Sequence, residues 1–309
     1  MDRCSYFIKD KAMFGSYPDQ SSVYELEEEG VRYFVDLTYS TEKKIVPYVT
    51  KYNYINYPIH DQGIPTNWKT FAEFIIKVVN IIKNLKHENS LQEKLYLNCK
   101  GGHGRSGTVT AVILCQLFAM PPQQALEYTT KYHNNRRVMK DKWRKIGSPQ
   151  TYSQKQFVHK FFEPLRIYQS TKNLSCFSNF SNHPINIDGI GLFPTAEAAF
   201  QAHKYIDNKQ YVNEQLNSVS PYHSKSIGEQ IINTDWENIK YSIMFKIINL
   251  KLQQHKDVLD KLLSTGLKPI FYYIKDDDYW GVGNDCNGNN IIGNILMEIR
   301  LKHYENNIN

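Results

Sequence analysis

Leu95-Tyr96-Leu97 is a short apolar run that ends at Cys99. Cys99-Lys-Gly-Gly-His-Gly-Arg105-Ser106-Gly107-Thr108 follows, and then Val109, Val112, Ile113 and Leu117 recur at the spacing of one helix face. Strand, glycine-rich turn and helix in that order demand a layered α/β arrangement around the turn. Glycines at 101, 102 and 104 let successive main-chain N–H groups converge without side-chain obstruction. Converging amides at a helix N-terminus form a cradle for an anion. Lys100, Gly101, Gly102, His103, Gly104 and Arg105 are therefore the candidate phosphate-binding residues, with Arg105 presenting a fork to two phosphate oxygens.

The same field acts on Cys99. A free thiol of pKa about 8.5 is only about 3% thiolate at pH 7. Helix N-termini and nearby cations bring thiols down to roughly 3.5–7.5. A drop of three units is worth about 4 kcal/mol in favour of the thiolate. Such a loop holds a phosphate and supplies the nucleophile that attacks it, with a phosphocysteine as intermediate. The leaving oxygen needs a proton. Asp61 lies just past a strand signal in Tyr57-Pro58-Ile59-His60-Asp61-Gln62-Gly63-Ile64-Pro65, and is the candidate general acid and then base. His60 and Cys115 read as packing residues.

Strand and helix signals alternate through this half. Tyr33 to Leu37 and Tyr52 to Ile59 read as strands, and Pro65-Thr66-Asn67 as the entry to a helix carrying Phe71, Phe74, Ile75, Val78, Ile82 and Leu85. Past residue 168 the pattern becomes mainly helical. Ala196 to Tyr205 reads as a helix, Trp236 to Leu250 carries an apolar stripe, and Thr265-Gly266 reads as a C-cap. The expectation is two domains, 1–168 and 169–309, the first α/β and the second mainly α. In the second, Glu197, Gln201 and Lys204 share a helix face beside Phe200. Trp280 or Phe180 can stack on a base, and Glu197 and Asp277 can hydrogen-bond a ribose. A carboxylate beside a ribosyl C1′ can stabilise an oxocarbenium-like centre and activate water.

Composition limits the alternatives. The chain has 309 residues, 41% hydrophobic and 22% charged, which excludes a disordered chain or a disulfide miniprotein. Net charge is +6, enough to favour anionic ligands. No apolar run reaches the roughly 18 residues of a membrane span, so no membrane partner is expected. Met1 to Lys11 has no hydrophobic stretch after its charges, so no secretory signal is expected. Five scattered cysteines without a CxxC pair predict a reducing, cytoplasmic setting with no structural metal and no cofactor.

The first half resembles the dual-specificity branch of the protein tyrosine phosphatases. The resemblance rests on the C-x5-R-S loop at Cys99 to Ser106, upstream Asp61, Gly15-Ser-Tyr-Pro18, and Arg144 with Gly147-Ser148-Pro149-Gln150-Thr151, Gln154 and Phe157. It implies Cys99 as nucleophile, Arg105 on phosphate, Asp61 as acid and base, and Ser106 as the group that helps the thiolate leave. Asn98 stands where most members carry His, and His103 is expected to supply a positive charge instead. The second half resembles the NADAR (YbiA-like) family. It carries F-S-N-F at 177–180, P-T-x-E-x-x-F-Q-A-x-K at 194–204, Asp235-Trp236, D-x-Y-W-G-x-G at 277–283, and G-x-N-x-I-G running into Arg300. That resemblance implies N-glycosidic hydrolysis of ADP-ribose derivatives or other ribosylated substrates, with Glu197 catalytic and Asn179, Lys204, Asp277, Trp280 and Asn290 in the pocket. Ala198, Tyr272 and Glu229 depart from its common residues.

The expected function is a bifunctional enzyme acting on a phosphorylated protein or nucleotide and on an ADP-ribose-like or ribosylated ligand. Two other readings stand beside it. One is a phosphate-reading binding module with weak phosphatase activity. The other is an RNA 5′-phosphatase with an ADP-ribose-binding domain, in which nucleic acid enters only as substrate. The basic run Lys131, Arg136, Arg137, Lys140, Lys142, Arg144 and Lys145 serves either a solvated face or the approach of a phosphate.

Overall fold

A computed structural model of the protein describes residues 2–88, 91–168 and 173–307. It divides into two units, one ending at Glu163 and including Asn307, the other spanning Pro164–Asn306.

The first unit begins with β1 (Cys4–Ile8), β2 (Ala12–Ser16), α1 (Gln20–Glu28), β3 (Val31–Asp36), β4 (Asn53–Asn56) and α2 (Trp68–Lys83). The two-residue strands β5 (His87–Glu88) and β6 (Leu91–Gln92) precede β7 (Lys94–Cys99). Four helices follow: α3 (Arg105–Phe118), α4 (Pro122–Asn134), α5 (Asp141–Ile146) and α6 (Tyr152–Phe161). Five strands form one sheet in the order β1-β2-β7-β3-β4. β2, β7, β3 and β4 are parallel, and β1 is antiparallel to β2. Parallel strands are covered on both faces, which explains why β7 is buried from Leu95 to Cys99 rather than alternating. Register pairs Ser16 with Cys99, and Asp36 with both Asn98 and Asn56. The carboxyl ends of the parallel strands thus meet at one edge, where α/β sheets bind ligands.

α2 starts as its sequence predicts. The Asn67 side chain accepts from the Thr70 N–H at 3.1 Å. Its inner face carries Phe71, whose ring packs against Tyr57 at 5.7 Å, Phe157 at 5.4 Å and Phe161 at 5.1 Å. α3 is buried from Arg105 through Cys115, so it is the central helix of the unit. Its Gly107 is obligatory: an added Cβ would strike the Ser148 hydroxyl.

The second unit holds β8 (Leu165–Tyr168), β9 (Ile185–Ile187), β10 (Gly191–Phe193), α7 (Ala196–Ala202), α8 (Lys209–Leu216) and α9 (Pro221–Glu229). After these come α10 (Trp236–Gln254), α11 (Lys256–Ser264), β11 (Ile270–Tyr273) and α12 (Ile291–Asn306). β8 pairs in parallel with β11, and β9 pairs antiparallel with β10. The helix expected over 196–205 ends at Ala202 and continues as a 3-10 turn at His203–Tyr205. All seven residues of α7 are buried. Its alanines, with Val212 and Ile247, form one apolar cluster, while Phe200 belongs to another with Met244, Tyr272 and Ile292. No helix of the described residues is long and apolar enough to cross a membrane.

Phe71 is fully buried among aromatic rings. Phe71→Ala is expected to cost about 3–5 kcal/mol, seen as a lower urea midpoint for the first unit at unchanged m-value.

Candidate active sites

Cys99 is the last residue of β7 and is 3% exposed. The loop after it turns sharply at Gly102 (φ +73°), where a Cβ would strike the main chain of Gly15. α3 then begins at Arg105. Among the described residues, no protein acceptor receives the main-chain N–H groups of residues 100–106. They belong to the turn after Cys99 and the start of α3, and free donors at a helix N-terminus bind anions. The Ser106 hydroxyl lies 3.3 Å from the Cys99 sulfur. Asp61, Lys100, Gly101, His103, Gly104 and Arg105 line a cavity of about 250 Å³ with Cys99. Gln62, Trp143 and Gln150 complete its wall.

Arg105 is 1% exposed and fully committed. It donates to the carbonyl oxygens of Ile59 (2.8 Å) and Leu37 (3.5 Å). It forks onto Glu42, Nη1 to Oε1 and Nη2 to Oε2 (3.1 Å), and Nη2 also reaches Asp61 Oδ1 at 3.0 Å. Burial alone would raise the Glu42 carboxyl, but the hydrogen bonds and charge of Arg105 more than offset it and hold it below its usual value. Nothing in the sequence pointed to Glu42, a loop acid far from Arg105 along the chain. Asp61 is exposed, and its loop is tied back by Gln154, whose Nε2 donates to the Gly63 carbonyl at 3.1 Å.

Asn98 replaces the family's histidine with an amide network. Its Nδ2 donates to Asp36 Oδ1 at 2.9 Å, and its Oδ1 accepts from the Tyr48 hydroxyl at 3.2 Å. Asp36 also accepts from Tyr54 (2.7 Å) and from the Thr38 N–H (3.0 Å). Residue 98 is therefore pinned without a charge of its own.

The expectation that His103 carries a positive charge is corrected. His103 Nδ1 is 2.8 Å from His133 Nε2, and its ring stacks on Trp143 at 4.8 Å. One ring must donate and the other accept, so the bond excludes two doubly protonated histidines. Burial, then the charge of Arg136 and the neighbouring ring, push His103 down to about 3. Burial and Arg136 push His133 down to about 4. Cys115 is an inert core thiol, raised to about 12 by burial.

The second unit carries a cavity of about 260 Å³. α7 presents Glu197, Phe200 and Gln201 to it, and Lys204 follows from the 3-10 turn. Asn179, Asp277 and Trp280 line it as expected, joined by Lys225 and Glu229 of α9, Tyr272 and Trp236. Lys225 was not foreseen; with Tyr222 and Glu229 it marks a single face of α9. Glu197 is 7% exposed and accepts from Gln201 Nε2 at 2.7 Å. Burial raises its pKa, with Gln201, Lys225 and Lys204 opposing and Glu229 adding to the rise. Asn179 donates through Nδ2 to the Met244 sulfur (3.1 Å), while its Oδ1 is buried without a partner among the described residues. Buried Lys251 anchors the loop of Asn179, donating to the Ser178 carbonyl (2.7 Å) and the Ser181 hydroxyl (2.6 Å). One oxygen of Asp277 is taken by the N–H groups of Tyr279 (3.1 Å) and Trp280 (2.8 Å).

Asn290 is a second correction. It does not line the cavity; its side chain clamps β11, accepting from the Tyr272 N–H (2.9 Å) and donating to the Ile270 carbonyl (2.7 Å).

The depressed histidines fix an acid sensitivity. Both are neutral in the folded chain at pH 5 and charged when unfolded, so stability held above pH 6.5 is lost as pH falls towards about 4. The thermal midpoint of the first unit should fall between pH 7 and 4.5, and His133→Asn should flatten that slope.

Comparison with known proteins finds relatives of both halves of the chain. The profile of the Swiss Army Knife protein DSP-PTPase phosphatase domain matches residues 1–158, and that of the NADAR domain matches 166–302. The chain is 33% identical to putative tyrosine phosphatase 197R of Invertebrate iridescent virus 6, over 98% of this chain and 96% of that protein. It is 41% identical to putative tyrosine phosphatase 067L of Invertebrate iridescent virus 3, over 52% of this chain and 66% of that protein. N-glycosidase YbiA of Escherichia coli strain K12 is 33% identical over 44% of this chain and 86% of its own length. The chain belongs to the Swiss Army Knife DSP-PTPase phosphatase family through its first half and carries a NADAR domain in its second, and is a hydrolase with phosphatase-like and glycosidase-like domains.

Proposed function

We propose that the first unit hydrolyses phosphomonoesters through Cys99 and that the second hydrolyses the N-glycosidic bond of a ribosylated substrate of the ADP-ribose type. The observation that carries the first part is the set of N–H groups at residues 100–106 that no acceptor takes among the described residues, in the loop after Cys99, with Arg105 lining the same cavity as the sulfur. The phosphoryl group sits on those amides, and Nη2 of Arg105 exchanges Asp61 for a phosphoryl oxygen. The Cys99 sulfur attacks phosphorus, the phosphorus–oxygen ester bond breaks, and Asp61 gives its proton to the leaving oxygen. Water then attacks the phosphocysteine, with Asp61 as base. The sulfur–phosphorus bond breaks as the Ser106 hydroxyl donates to the departing thiolate, and inorganic phosphate leaves.

In the second unit the supporting observation is a buried carboxyl with a raised pKa opening onto an aromatic cavity. Trp280 and Phe180 supply faces for a base, and the unpartnered Asn179 Oδ1 accepts from a sugar hydroxyl. Glu197 faces the ribosyl carbon. As the bond from carbon to nitrogen breaks, its charge stabilises the cationic centre, and it takes a proton from the water that adds there. Glu197 passes that proton to the departing nitrogen, so the carboxylate is restored, one water is consumed and a free ribosyl hydroxyl forms.

Two measurements test this. Purified full-length protein should release phosphate from p-nitrophenyl phosphate; Cys99→Ser should reduce the rate to background and Asp61→Asn should lower kcat by about 10²-fold. Full retention of activity in Cys99→Ser would refute the phosphocysteine route. With an ADP-ribosylated base, Glu197→Gln should cost about 10²-fold or more. The limb of the pH profile that this variant removes should lie above the ordinary glutamate value of 4.5.

A further inference from the structure

Beside the cysteine cavity lies a second basin of about 300 Å³ that shares Gly101, His103 and Trp143 with it. Three cations line the basin, Arg3, Arg136 and Lys140, and no carboxylate does. Arg3 and Lys140 are exposed, whereas Arg136 is only 3% exposed. The Arg136 guanidinium lies 4.6 Å over the Phe14 ring and donates through Nη2 to the Phe14 carbonyl at 3.1 Å; its Nε is buried with no acceptor among the described residues. No carboxylate is paired with it among the described residues. The groups whose fields favour its charge are Tyr96, Cys99 and Cys4, and burial lowers it to about 10, so it is a cation at neutral pH.

A buried cation without a countercharge costs folding free energy. This one stands at the wall of a phosphate-binding loop, where an incoming anion supplies what the protein omits. Gly101, His103 and Trp143 line both basins, so the two adjoin.

We propose that this basin is a subsite for a second phosphoryl group on the same substrate, so that preferred substrates carry two phosphates, one delivered to Cys99 and one held by Arg136, Arg3 and Lys140. The first of these placements rests on the phosphatase reading above; the second does not. A tethered second phosphate also gains from its raised local concentration.

The test uses full-length Cys99→Ser in calorimetric titrations. Adenosine 3′,5′-bisphosphate is compared with adenosine 5′-monophosphate, and a doubly with a singly phosphorylated tyrosine peptide. The arm that shows the effect identifies the scaffold. The second phosphate should tighten binding by at least about ten-fold in one arm, as charge-assisted hydrogen bonds do. Adding Arg3→Ala and Lys140→Ala, both at exposed positions, should collapse that ratio towards one. Equal affinities in both arms, or a ratio that survives the added substitutions, would overturn the subsite. Wild-type turnover of p-nitrophenyl phosphate separates the two ideas. Turnover without a bisphosphate advantage removes only the subsite, and an advantage without turnover removes only the phosphatase reading.

Discussion

The Arg105 guanidinium has almost no exposed surface, and the loops of the first unit are arranged to neutralise it from within. Its partners come from three places: Leu37 just past β3, Glu42 in the following loop, and Ile59 with Asp61 after β4. Parallel strands deliver those segments to one edge, so the topology and the ion cluster are one arrangement. Glu42 holds Arg105 in a two-pronged grip, while exposed Asp61 holds it through one oxygen. An arriving dianion competes most easily with Asp61. On the proposed chemistry, the carboxyl released from the arginine is the one then required as a proton donor.

The second unit handles a buried charge in the opposite manner. Glu197 has an amide partner in Gln201 and only more distant cations, so burial is left uncompensated and its proton is held more tightly. Arg105 with Glu42 shows a cation drawing a carboxyl down; Glu197 shows low polarity pushing one up. Glu197 lines its cavity directly, whereas Glu42 acts through Arg105, which lines the other, and their opposite shifts suit different tasks.

How far the residues announce all this depends on whether the signal is local. The loop from Cys99 to Thr108 was legible because glycine spacing, strand and helix are contiguous, and α2 was legible from Asn67 and its apolar period. β1 and β2 were not, since Cys4–Ile8 and Ala12–Ser16 are short and make sense only as partners of β7. Glu42 was invisible because its role is set by a residue distant in sequence. His103 misled because its charge depends on His133 and Trp143, contributed by two later helices. Asn290 misled differently: a motif position tells that a residue matters, not whether it faces a ligand or the main chain of β11.

α7 joins the interior of the second unit to its chemistry, because the helix that presents Glu197 is enclosed along its whole length. Any change of substrate that required this wall to shift would disturb the packing that keeps the fold intact. Lys225 and Glu229, on the exposed side of α9, carry no such burden. A different ligand is therefore accommodated most cheaply at the rim, one surface residue at a time, while the floor stays as it is.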